Sequence, residues 1–169
     1  MKNAIVLTDG LLMTSDAKTA HGLIRGTERF NIIGLVDGEA NAGKDAGVLL
    51  DGKHRDIPVF ATMEIAIEQL EKVDFLIIGV ATVGGRLPKN MLALIYEAVK
   101  KGISVVNGLH EYLNDKADLV AIAASTGAQL IDVRKPKSRA DLHFWDGAIF
   151  NVTAPIVAVI GMDLSLIHI

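Results

Sequence analysis

Apolar residues in this chain arrive as short, uninterrupted runs rich in Ile and Val, separated by stretches with helical periodicity. The runs are Ala4-Ile5-Val6-Leu7, Ile32-Ile33-Gly34-Leu35-Val36, Ile57-Pro58-Val59-Phe60, Phe75-Leu76-Ile77-Ile78 and Ile103-Ser104-Val105-Val106. Two later ones are Gln129-Leu130-Ile131 and Ile156-Val157-Ala158-Val159-Ile160. Continuous rather than alternating hydrophobicity marks strands covered on both faces. Between them, Thr62 fits an N-cap followed by Met63, Ala66, Ile67 and Leu70 at helical spacing. Pro88 suits a first helical position, Met91, Leu92, Ile95, Ala98 and Val99 form one stripe, and Lys100-Lys101-Gly102 supplies a stop. Two further helices are predicted, from Ser15-Asp16 to Gly26 and from Lys116 to Ser125, the latter stopped by Gly127.

Strand–helix alternation predicts an α/β fold: a Rossmann-like, doubly wound parallel sheet in the order 3-2-1-4-5-6. The polar stretch Asp37 to Asp56 is expected to replace the helix between the second and third strands with a loop. No internal repeat or low-complexity tract interrupts the pattern.

Composition narrows the function classes. At 169 residues with half of them apolar, the chain fits one ordinary domain with a packed core. A net charge of −3 leaves no electrostatic footprint for nucleic acid or an anionic membrane. The absence of cysteine excludes disulfide scaffolds, thiolate metal sites and Cys nucleophiles. No apolar run approaches the ~20 residues of a membrane helix, and the N-terminus carries no signal-peptide pattern, so a cytoplasmic location is expected. Neither an H-E-x-x-H metal spacing nor a G-x-S-x-G nucleophile elbow occurs, and no metal site is expected.

In open sheets of this kind, ligands bind beyond the carboxyl ends of the strands, where strand order reverses. Those ends hold Asp9 and Gly10 after the first strand, Asp37 after the second, Thr82, Gly84, Gly85 and Arg86 after the fourth, and Asn107, Gly108 and His110 after the fifth. Asp37 stands where a ribose-binding acid would sit, or is a turn residue before Gly38. The first turn, Asp9-Gly10-Leu11-Leu12-Met13-Thr14, has one glycine and an anion where a diphosphate needs G-x-G-x-x-G, so NAD in its standard pose is not expected. Thr82-Val83-Gly84-Gly85-Arg86 either holds a carboxylate or phosphate on backbone N–H groups or simply makes the turn. His110 reaches the same crevice or caps a helix. Arg134 and Arg139 bound the one dense basic run, which is either a solvated connector or a cover for the anionic end of a substrate.

The stretches Lys18 to Arg25, Ala42 to Gly47, Gly79 to Pro88 and Asn107 to His110 resemble a family filed as domain of unknown function 1611. Its characterised relatives are D-glutamate N-acetyltransferases, and other members have been labelled NAD-dependent epimerase/dehydratase-like. The family joins a Rossmann-like domain to a P-loop domain, and Val157 to Asp163 resembles the strand entering that P-loop, with Gly161 at its end. The resemblance implies residues 1–133 as the Rossmann-like domain, 134–155 as a connector and 156–169 as the start of a truncated P-loop domain with a foreign tail. It implies acetyl transfer from acetyl-CoA to the amine of D-glutamate by a full-length, homo-oligomeric protein, the fragment alone being inactive. Thr82, Gly84, Gly85, Arg86, Asn107, Gly108, Arg134 and Arg139 are then candidates for binding a small acidic substrate, and His110 the candidate base. Asp9, Gly10, Asp37 and Gly161 are the cofactor-side candidates. The competing readings are an NAD(P)-dependent epimerase/dehydratase-like enzyme and a non-catalytic ligand-binding module.

Overall fold

A computed structural model describes residues 1–155. The chain separates into a unit Met1–Lys135 and a second beginning at Pro136. The proposed P-loop strand and Gly161 lie outside the described residues.

In the first unit, six strands form one parallel sheet: β1 (Lys2–Leu7), β2 (Phe30–Val36), β3 (Val59–Phe60), β4 (Phe75–Ile78), β5 (Ser104–Asn107) and β6 (Leu130–Asp132). Their order is β3-β2-β1-β4-β5-β6, the predicted Rossmann-like order. Five helices connect them: α1 (Lys18–Arg25), α2 (Ala46–Asp51), α3 (Met63–Gln69), α4 (Lys89–Lys100) and α5 (Ala117–Thr126). Helix α1 lies against α2, and α4 against α5. The core is fully buried Ile5, Leu7, Leu35, Leu76, Met91, Ile95 and Leu119, each worth about 1.5–3 kcal/mol of apolar burial.

One expectation is corrected. The stretch between β2 and β3 is not loop throughout but contains α2. Its polar composition hid a cap: Asp45 accepts the N–H of Val48 at 2.9 Å, of Arg55 at 3.2 Å and of Ile57 at 2.9 Å. Those bonds close a six-residue helix that buries Ala46 and Gly47, and Arg55 grips Asp51 at 2.6 and 2.8 Å. A short helix with small buried residues carries no apolar stripe to read. The remaining helices start and stop within a residue or two of their signals, Thr62 accepting the N–H of Ile65 at 3.3 Å as the cap of α3.

Order reverses between β1 and β4. There the carbonyl of Gly79, just beyond β4, accepts the N–H of Ala20 at 2.9 Å, and that of Asp16 accepts the N–H of Ala81 at 2.8 Å. A Cβ at residue 79 would lie 2.5 Å from Val6 and 2.9 Å from Ala20, so glycine lets α1 seat against the sheet at the reversal.

The second unit, taken by itself, has 3-10 turns at Arg139–Asp141 and Ala148–Asn151. Trp145 and Phe150 meet edge to face with ring centroids 5.8 Å apart.

Candidate functional site

The loops after β4 and β5 are fastened to each other. Residues Val83–Gly85 make a single 3-10 turn in which Gly84 and Gly85 have φ of 68° and 65°. The Gly85 carbonyl accepts the N–H of both His110 and Glu111 at 3.0 Å. The Glu111 carboxylate reaches back, accepting the N–H of Leu87 at 2.8 Å and a Lys116 ammonium hydrogen at 2.6 Å. Lys116 foremost, then the Leu87 N–H, holds that carboxyl below the usual range. A Cβ on Gly85 would stand 2.6 Å from the His110 ring, so the close approach and the backbone conformation both require glycine.

Beneath this, Asn107 is fully buried. Its amide donates to the Glu111 carbonyl at 2.8 Å and to Asp132 at 2.7 Å, while its oxygen accepts the N–H of Leu109 at 3.0 Å. Asp132, at the end of β6, also accepts the N–H groups of Leu113 at 2.9 Å and Asn114 at 3.0 Å. Burial works against the Asp132 charge, but its hydrogen bonds outweigh it and the carboxyl stays below its ordinary value. The Val133 N–H then donates to the Asn107 carbonyl at 2.9 Å, extending the chain to Arg134.

The result is a cleft of about 340 Å³ walled by Gly84, Gly85, Gly108, His110 and Arg134, with Arg86 and Glu111 on an adjoining opening at Gly84 and His110. Arg86, His110 and Arg134 are exposed, and nothing stands within 4 Å of a Cβ built at Gly84 or Gly108. A guanidinium nitrogen of Arg134 lies 3.4 Å from His110 Nε2. A guanidinium only donates, so in this contact His110 Nε2 stands on the accepting side. Two guanidinium groups and open glycine backbone suit a small anion, with an imidazole lone pair beside it.

The structure thus brings together Gly84, Gly85, Arg86, Gly108, His110 and Arg134. Thr82 also lines the cleft, but its hydroxyl donates to the Arg86 carbonyl and closes its own loop. Asn107 is a buried brace rather than a group open to a ligand. Arg139 belongs to the second unit. Glu111 and Asp132 are the residues that sequence reasoning missed. An acid as the last residue of a strand, as at Asp132, was a signal available for one of them.

The cofactor-side candidates form a different arrangement. Asp37 is 1% exposed. Its Oδ1 accepts the Thr8 hydroxyl at 2.6 Å and the N–H groups of Gly10 at 3.1 Å and Leu12 at 2.9 Å; Oδ2 accepts from Asn41 at 2.7 Å. This carboxylate therefore occupies the first turn as an internal anion, on the amides a diphosphate would need, and it is not turned outward toward a ribose. The turn does not fit a nucleotide diphosphate, whether of NAD or of a coenzyme A. Asp9 is half-buried at φ 52° and touches Asn90 of α4. Burial first, then the Asp37 charge, raises its carboxyl above the ordinary value. His21 of α1 meets the Leu12 carbonyl at 2.6 Å, tying the same turn to the helix.

Among the described residues no helix is long and apolar enough to cross a membrane, and no three His, Cys, Asp or Glu side chains cluster as metal ligands. Sheet order and site together define a Rossmann-like α/β domain whose binding edge is braced internally at the first turn and open and cationic beside β4 and β5. The chain belongs to the family described as domain of unknown function (DUF1611_N), Rossmann-like domain, whose model matches residues 39–136. It is similar to a D-glutamate N-acetyltransferase of Tritonibacter scottomollicae, 41% identical over 61 residues, or 36% of this chain and 18% of the relative. A D-glutamate N-acetyltransferase of a Pseudoalteromonas species is 36% identical over 90 residues, 53% of this chain and 26% of the relative. A crystal structure of a DUF1611 family protein from Anabaena variabilis superposes with a TM-score of 0.75 at 30% identity, covering 89% of this chain and 42% of that one. The matched stretches thus span about a fifth to a quarter of the curated relatives and under half of the solved one.

Proposed function

We propose that this chain is the Rossmann-like domain of a D-glutamate N-acetyltransferase and that its cleft beside β4 and β5 binds the acidic substrate. The observation that carries the reading is the pairing of Arg134 with His110, 3.4 Å apart, in a glycine-walled cleft beside Arg86. Similarity to two proteins named for that activity supplies the substrate.

On this reading Arg86 and Arg134 hold the carboxylates of D-glutamate, and the Gly84 and Gly108 backbone leaves room for its carbon chain. The amine of a free amino acid is an ammonium and cannot attack until it loses a proton. His110 Nε2 takes that proton once Arg134 has turned from the imidazole to a substrate carboxylate. Acetyl-CoA supplies the activated acetyl group; the first turn, already filled by Asp37, gives its diphosphate no place there. A small acidic substrate, a cytoplasmic setting and a homo-oligomeric full-length form belong to the same proposal.

The test is D-glutamate-dependent release of free thiol from acetyl-CoA by the protein expressed from its complete reading frame. Release that requires D-glutamate supports the reading. No release from protein shown to be folded overturns it.

A further inference from the structure

A second crevice, of about 420 Å³, opens where strand order reverses, between the start of α3 and the first turns of α4. Its walls are mainly apolar, from Val36, Ala61, Met63, Ala93 and Leu94, and its charged groups are the acids Asp9 and Glu64. No Lys or Arg lines it. The Glu64 carboxyl is held below its ordinary value by its own N–H first, then by the Thr62 side chain, with the Glu97 side chain and the Lys101 charge adding to it. Asp9 has only the Asn90 amide as a side-chain partner among the described residues, and neither it nor Asp37 belongs to any of the ion pairs there. Asp9 therefore faces this crevice without a countercharge, while Asp37, whose charge lies behind it, is buried off the crevice wall and already bonded to Thr8, Gly10, Leu12 and Asn41.

The geometry points to this crevice as a binding site for an organic ammonium group carried on a small apolar body, the apolar part between α3 and α4 and the nitrogen on Asp9. An apolar pocket with few converging polar groups is the usual form of a small-molecule site, and the raised Asp9 carboxyl fits one whose charge awaits a partner. Anions are disfavoured there by the two acids, just as the cleft beside β5 favours them. The inference is independent of the acetyl-transfer reading.

Three probes of similar shape decide it on the intact protein: phenethylamine, 2-phenylethanol and 3-phenylpropanoate. Binding is followed through backbone amide shifts of Ala61, Met63 and Leu94. The amine is expected to bind, the alcohol to bind several-fold more weakly and the carboxylate not to shift these amides. Asp9→Asn is expected to weaken the amine about tenfold and leave the alcohol unchanged, since a charge-assisted bond becomes a neutral one. Asparagine tolerates positive φ well, so this variant keeps the fold. Ala93→Trp, at an exposed helix position, fills the crevice and abolishes amine binding. Equal binding of all three probes, binding of none, or an Asp9→Asn variant with full amine affinity overturns the assignment.

Discussion

Asp37 accepts the backbone N–H of Leu12 at 2.9 Å, across the turn that follows β1. The residue just after the second strand thus supplies the anion at a place where dinucleotide-binding domains leave their amides free for a phosphate. The same oxygen takes the Gly10 N–H and the Thr8 hydroxyl, so the turn is rigid before any ligand arrives.

Asp37→Ala removes that anion and leaves the N–H groups of Gly10 and Leu12 without their acceptor, while the Thr8 hydroxyl keeps the Val36 carbonyl at 3.2 Å. An unsatisfied buried donor costs about 1–3 kcal/mol, so a loss of roughly 3–5 kcal/mol in urea unfolding is expected. Asp37→Asn keeps an acceptor but sets its amide against that of Asn41, and is expected to cost only ~1–2 kcal/mol. NAD is expected to give the natural chain no thermal stabilisation. A cost under about 1 kcal/mol for the alanine variant, against the usual price of a stranded donor, shows that Asp37 is not the brace.

The sheet was legible because Ile5, Leu35, Leu76 and Val105 sit in runs that only a strand buried on both faces tolerates. The strand ends followed, and with them most residues of the cleft. What stayed hidden was how each polar side chain is used. Asn107 and Arg134 look alike in sequence as polar groups after a strand, yet one is fully buried and bonded while the other is exposed. Asp37 shows the same limit: its position at the end of β2 was readable, its turn inward toward Thr8 was not. Helix α2 was missed because Asp45 reads as loop composition when it is a cap.

Gly84 and Gly85 are expected to respond differently to alanine. Both have positive φ, which costs about 1 kcal/mol for a residue with a Cβ. Only at Gly85 does the added Cβ also meet the His110 ring, at 2.6 Å. Gly85→Ala is therefore expected to part the two loops, costing ~2–4 kcal/mol and shifting the His110 ring resonances. Gly84→Ala is expected to leave those resonances in place. Equal effects in thermal unfolding and ring shifts show that the loops are not fastened through this contact.

Asp132 gives an acid-side prediction. Its carboxyl lies below the ordinary value in the folded chain, so it binds fewer protons folded than unfolded. Its contribution is complete above the unfolded value near pH 3.8 and disappears as pH falls through the lower folded value. The stability difference between the natural chain and Asp132→Asn should be flat above about pH 5 and shrink below about pH 4. Urea unfolding at a series of pH values measures it, and a difference that grows on acidification contradicts the bonding described for Asn107, Leu113 and Asn114.

Arg134 separates anion binding from folding. It is exposed and its side chain is bonded to His110 at 3.4 Å, so Arg134→Ala should change stability by no more than about 0.5 kcal/mol. If it holds a substrate carboxylate, its loss should weaken D-glutamate binding about tenfold or more, the worth of a charge-assisted hydrogen bond. Arg134→Lys keeps the charge but not the planar fork, and should fall between the two. The imidazole reports on the same contact: without the guanidinium, Nε2 is free, and its nitrogen shift should move in the alanine variant even with no substrate present. A nitrogen shift that moves while D-glutamate affinity does not would leave Arg134 as a neighbour of His110 and place the carboxylate on Arg86 instead.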